Sequence, residues 1–188
     1  KLSVYKEGEV LVGSEKTENG ISFKYEKRKL PNATFEVFAE ENIYEEDNNG
    51  KLIYKKDQLV DTIKTDTVGA AQTKMLPLGK YYVKEKTAPQ NMTQSDEIKH
   101  TELKYKDQET PVVFETTTYK NERQKVRVSA KKLDAETKTG LQGAEISLFA
   151  NRDVYNNDGD IVVKAGKKLE TVVTDENGKA EFMIDLPN

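Results

Sequence analysis

The chain has 188 residues, with 30 Lys plus Arg against 33 Asp plus Glu, one His, no Cys and a net charge of −3. That balance excludes a nucleic-acid binder by bulk electrostatics, and the residue counts exclude disulfides, a multi-histidine metal site and a His-based triad with spare partners. Hydrophobic residues (35%) barely outnumber charged ones (34%), and no apolar run approaches the ~18 residues of a membrane span. The core must be thin, which suits a β-sandwich better than a doubly wound α/β fold.

Residues Lys1 to Glu9 alternate as a strand, with Leu2, Val4 and Lys6 on one face. Lys6 thus shares the apolar face, although a lysine at a strand end ordinarily snorkels outward. Asn19-Gly20, a strong turn dipeptide, separates Val10-Leu11-Val12 from Ile21-Ser22-Phe23 and predicts an inserted hairpin near residues 10–29. Leu30 to Phe38 reads as the next strand. Ile43-Tyr44 and Leu52 to Tyr54 flank Glu45 to Gly50, which reads as a solvated hairpin tip in preference to a calcium loop, because no second cluster of oxygen ligands accompanies it. Leu59 to Ile63 is a strand, Thr65 to Gly69 a turn, and Gln90 to His100 a polar loop.

Between these lies Leu76-Pro77-Leu78-Gly79-Lys80-Tyr81-Tyr82-Val83-Lys84-Glu85-Lys86-Thr87-Ala88-Pro89, a turn, a strand and a stop. Tyr81, Val83 and Glu85 share one face, so Glu85 is either solvated at the strand end or turned into an apolar interior, where its neutral form is favoured. Pro111 to Asn121 forms a final strand with Thr117, Tyr119 and Asn121 on one face; an asparagine there is ordinarily a turn residue.

The run LPLGKYYVKEKTAP resembles the Gram-positive surface-protein repeats of the Cna B type, also called SpaA-type pilin domains. Leu30-Pro31-Asn32-Ala33-Thr34-Phe35-Glu36-Val37 fits the same family's L-x-G-A-x-F-x-V strand, with Asn32 where glycine is usual. Asn tolerates the left-handed turn next best, so the departure is mild. The resemblance implies three roles. Lys6 stands where the family has an isopeptide-forming lysine, Asn121 where it has the asparagine whose amide is attacked, and Glu85 where it has the assisting carboxyl group.

From Gln124 the pattern restarts. Val126, Val128, Ala130 and Lys132 alternate onto one face, Leu141 to Ala150 repeats Leu30 to Ala39, Thr174 to Gly178 repeats Thr65 to Gly69, and Leu186-Pro187 repeats Leu76-Pro77. Such a repeat means an array of homologous units. The expectation is an all-β protein of two tandem antiparallel β-sandwiches, prealbumin-like, spanning 1–123 and 124–188. The second halts before its own copy of the Tyr-Tyr-Val-Lys-Glu strand, which suggests a longer natural chain. In it Lys132 is the candidate isopeptide lysine and Lys131, on the opposite face, the lesser one.

The resemblance implies stalk domains of a surface adhesin or pilin, outside the cell on the wall of a Gram-positive bacterium. No cofactor or metal is needed, and catalysis is limited to one self-modification. The expected partners are neighbouring repeats of the same polypeptide and, if a loop serves as an adhesin, a host surface ligand that the residues do not name. An accessory domain of a secreted enzyme is the remaining alternative.

Overall fold

The computed structural model describes residues 1–45, 50–110 and 112–187. Their regular structure consists of strands: β1 (Leu2–Thr17), β2 (Gly20–Lys29), β3 (Thr34–Ala39), β4 (Ile43–Tyr44), β5 (Leu52–Tyr54), β6 (Leu59–Lys64), β7 (Ala70–Gln72), β8 (Gly79–Thr87), β9 (Ile98–Leu103), β10 (Glu115–Asn121), β11 (Ser129–Lys131), β12 (Glu145–Phe149), β13 (Val154–Tyr155), β14 (Ile161–Val163), β15 (Lys168–Val173) and β16 (Lys179–Glu181). They form two compact units, one of residues 1–9 and 27–123, the other of residues 10–26 and 124–188.

In the first unit one layer has β1 flanked by β7 and β10. The expected sandwich forms, with one departure from antiparallel pairing: β1 and β10 run parallel, from Leu2 opposite Glu115 to Gly8 opposite Asn121. Parallel neighbours need a long crossover, and here the crossover is the second layer, β6-β3-β8-β9, with the β4–β5 hairpin. Leu2, Val4, Ala71 and Tyr119 from one layer meet Phe35, Val37, Tyr81 and Val83 from the other, all buried. The alternation read from the sequence is thus the alternation of burial: positions 2, 4 and 6 of β1 and 81, 83 and 85 of β8 are all buried. Asn32 adopts φ = 68°, the left-handed turn that its place in the motif requires.

Two local expectations change. Residues 98–100 are not loop but the start of β9, an edge strand whose polar side chains suit a solvent-facing border. The last strand begins at Glu115, and Pro111 lies outside the described residues. So do residues 46–49 of the tip expected at Glu45–Gly50.

The second unit reuses the first unit's main-chain plan. The Thr65 hydroxyl donates to Leu30 O (2.9 Å) and accepts from Ala33 N–H (2.9 Å); Thr174 makes the same two bonds with Leu141 O (2.7 Å) and Ala144 N–H (2.9 Å). Gly69 and Gly178 close the following turns at φ = 69° and 74°, against main-chain atoms that would lie 2.8 Å and 2.2 Å from an added Cβ. Only glycine fits both demands. The expected strand from Val126 is short: β11 covers Ser129–Lys131, and Val126 is 39% exposed.

The sequence places the inserted hairpin within the first repeat. Its two strands form as expected, but residues 10–26 pack with 124–188. The physical reason is apolar matching. Leu11 and Phe23 are buried in one cluster with Ala150, Val163 and Leu169.

Candidate functional site

Three strands bring the site together. β1 carries Lys6 inward, β10 lies beside it and ends at Asn121, and β8 crosses the facing layer with Glu85 turned to the same interior. All three side chains belong to buried residues, and Lys6 is fully enclosed. The Lys6 amine donates to Asn121 Oδ1 and lies 2.7 Å from Glu85 Oε1, while the Asn121 amide nitrogen donates to Glu85 Oε2 at 2.7 Å. The lysine that alternation turned inward therefore does not snorkel, and the glutamate is not solvated at the rim.

The surroundings are apolar and aromatic. The Phe35 and Tyr119 rings, with centroids 4.8 Å apart, each lie 5.8 Å from the Lys6 nitrogen. Tyr119 is fixed by its hydroxyl donating to Val83 O at 2.5 Å. Burial pushes the Lys6 amine below the ordinary lysine value, against the opposing pull of the Glu85 hydrogen bond and the Glu85 and Glu97 charges.

The two oxygens of Glu85 are not equivalent. Oε2 accepts from Asn121 Nδ2 and from the Ser95 N–H, both at 2.7 Å, so it is saturated with donors. Oε1 is buried with no partner among the described residues but the Lys6 amine. A proton exchanged between lysine and glutamate therefore travels along Nζ–Oε1. Ser95 was not foreseen, since it contributes only its backbone; the same loop holds Gln94, which donates to Glu85 O at 3.0 Å. The one available signal was a polar run directly after the Glu85 strand.

Lys132 is exposed, yet it occupies the main-chain place of Lys6. Lys6 N–H donates to Gly69 O and its carbonyl accepts from Leu30 N–H, both at 2.9 Å; Lys132 does the same with Gly178 O (2.8 Å) and Leu141 N–H (3.0 Å). Lys131 pairs with Lys179 as Tyr5 pairs with Ala70, which sets it in the outward register. Among the described residues, neither Lys131 nor Lys132 is gathered into a cluster like that of Lys6.

No curated protein sequence matches the chain. Among solved structures it is similar to the Bacillus anthracis TIE protein, at 24% identity and TM-score 0.52 over 97% of this chain and 26% of that one. It is more distantly similar to a streptococcal ancillary pilin (18% identity, TM-score 0.38, 96% of this chain and 48% of that one). BcpA, the major pilin subunit of Bacillus cereus, matches at 13% identity and TM-score 0.37, over 99% of this chain and 84% of that one. The chain thus spans less than half the length of the first two. The model of the SpaA prealbumin-like fold domain matches residues 22–119 and again 126–188. With two matched segments that together cover most of its length, the chain belongs to the SpaA prealbumin-like domain family.

Proposed function

We propose that the chain is a load-bearing segment of a Gram-positive surface protein, a pilin or adhesin stalk working outside the cell, whose first unit is locked by a self-formed amide between Lys6 and Asn121. The observation that carries this reading is the enclosed cluster of Lys6 and Asn121, on the first and last strands of one unit, with Glu85 on β8 facing both. Buried ionisable groups in contact with a carboxamide are a costly arrangement for stability alone.

The chemistry follows from the contacts. An amine attacks only when unprotonated, and burial favours that form of Lys6. The proton it gives up passes to Glu85 Oε1, 2.7 Å away. The neutral amine adds to Asn121 Cγ, the Cγ–Nδ2 bond breaks, and Nδ2 leaves as ammonia with protons relayed by Glu85, whose Oε2 already faces that nitrogen. A buried carboxyl group beside a carboxamide could equally donate to the amide oxygen. Here Oδ1 faces Lys6 instead, so the leaving nitrogen is the end that Glu85 serves. Lysine and asparagine give one amide and one ammonia, once per molecule, so the unit modifies itself and turns nothing over.

The product would join strands that already lie side by side in register and would close a loop spanning 115 sequence positions. Lys132, in the equivalent main-chain place, is the lysine that this reading assigns to the second repeat. The test is the intact mass of the purified 188-residue chain. The wild type should fall short of its sequence mass by one ammonia and Glu85→Ala should regain it; a full-mass wild type would overturn the cross-link.

A further inference from the structure

The hairpin of β1 and β2 is an insertion. In the first repeat it fills the interval between Lys6 O and Leu30 N–H, a pair that the second repeat joins through the short Asp134–Thr139 turn between Lys132 and Leu141. Residues 10–26 group with residues 124–188 and not with the compact unit of their own repeat. What they contribute lies in the other. Leu11 and Phe23 are two of the five residues buried in that unit's main apolar cluster, and Ile21 and Tyr25 pack around it with Leu148, Val154, Val162, Ile184 and Leu186.

Polar contacts fix the placement. Leu11 O accepts from Asn157 N–H (2.9 Å), Val12 O from the Asn156 amide (3.2 Å), the Ser14 hydroxyl donates to Val162 O (2.6 Å), and the Tyr25 hydroxyl donates to Asp185 O (2.8 Å). Gly20 pairs with Glu170 on β15, and a Cβ there would stand 2.0 Å from Leu169 O. The two backbones approach so closely that no other residue fits. Without the hairpin, β15 would be an open edge over a core too small to order residues 124–188 by itself.

We infer that residues 10–26 are a strand donor on which the second unit depends for its fold. The surface they fill is the β15 edge with its apolar face, and the occupant is the hairpin of the preceding repeat. The coupling runs one way, since the second repeat carries only a tight turn where its own donor would be. The two repeats are therefore not independent beads, and a break in the first half of the chain is felt in the second.

Hydrogen exchange on the full chain tests this, comparing the wild type with a chain in which Glu9 is joined to Lys27 through Asn-Gly. Exchange over β12 and β15 should accelerate on the order of 100-fold, while β3 and β8 keep their protection. A synthetic peptide of residues 8–28 should restore the slow exchange. Unchanged protection of β12 and β15 would overturn the inference. If the shortened chain loses both units, Phe23→Ser decides by the same readout, with the same two outcomes. The inference does not depend on the Lys6–Asn121 amide, and the mass of each variant shows separately whether that bond has formed.

Discussion

The two repeats share a main-chain scaffold and differ in their interiors. Thr65 and Thr174, Gly69 and Gly178, and Lys6 and Lys132 hold the same backbone positions, bond for bond. Yet Phe35 and Val37 on β3 are completely buried, whereas their counterparts Ile146 and Leu148 on β12 are only half-buried. β3 is flanked by β6 and β8, while β12 pairs with β15 alone among the described residues. Short motifs set the scaffold; enclosure comes from the strands laid against it. In the first repeat the lysine in that backbone place is enclosed because β8 and β10 close over it.

The largest expected effect is on the enclosed side of this contrast. Glu85→Ala, by preventing the amide, should remove about 5 kcal/mol of chain-entropy stabilisation from the first unit, given the length of the loop it would close. Denaturant unfolding read through exchange in β3 and β8 would show this, and a variant as stable as the wild type would mean that the cross-link adds nothing. Next comes the core pair. Phe35→Ala should destabilise the first unit by about 3–5 kcal/mol. Ile146→Ala, at a half-buried position, should cost the second unit only about 1–2 kcal/mol. Equal losses would contradict the difference in enclosure between β3 and β12.

How much of this could be read beforehand follows the same division. Alternation placed Lys6, Glu85 and Asn121 on inward faces but left each an ordinary solvent-side reading, and it was the family resemblance that implied a common reaction for them. Local turn chemistry was equally visible, as with Asn32 and its positive φ. What could not be read were contacts made by generic atoms. The Ser95 N–H on Glu85 has no side-chain signature, and the parallel register of β1 on β10 depends on a long crossover. The hairpin was visible as a hairpin, but its apolar residues Leu11, Ile21 and Phe23 carry no address. Only the tertiary structure shows that they serve residues 124–188.

A smaller effect probes Lys6 through pH in the Asn121→Ala chain, which lacks the amide to be attacked. Burial lowers the folded-state pKa of Lys6 below 10.5. Between that lowered value and 10.5 the unfolded chain binds more protons than the folded one, so stability should rise with pH across the window and level off above it. Below the window the full cost of protonating a buried amine is present. Urea unfolding at stepped pH, with Lys6→Met in the same background as control, isolates the contribution; a flat or falling Lys6-dependent profile would contradict the burial argument.

The smallest expected effect is the sharpest test of the comparison. Lys132 matches Lys6 in both main-chain hydrogen bonds, so if backbone position governed the behaviour of the side chain, removing either should do similar damage. Lys132 is exposed, however, and Lys6 is not. Lys132→Ala in the 188-residue chain should therefore leave the intact mass shift unchanged and alter the stability of the second unit by no more than about 0.5 kcal/mol. Lys6→Ala should abolish the mass shift outright. A large loss on Lys132→Ala, read by exchange in β12 and β15, would mean that the second lysine is already packed as the first is, and that enclosure is not what separates the two repeats.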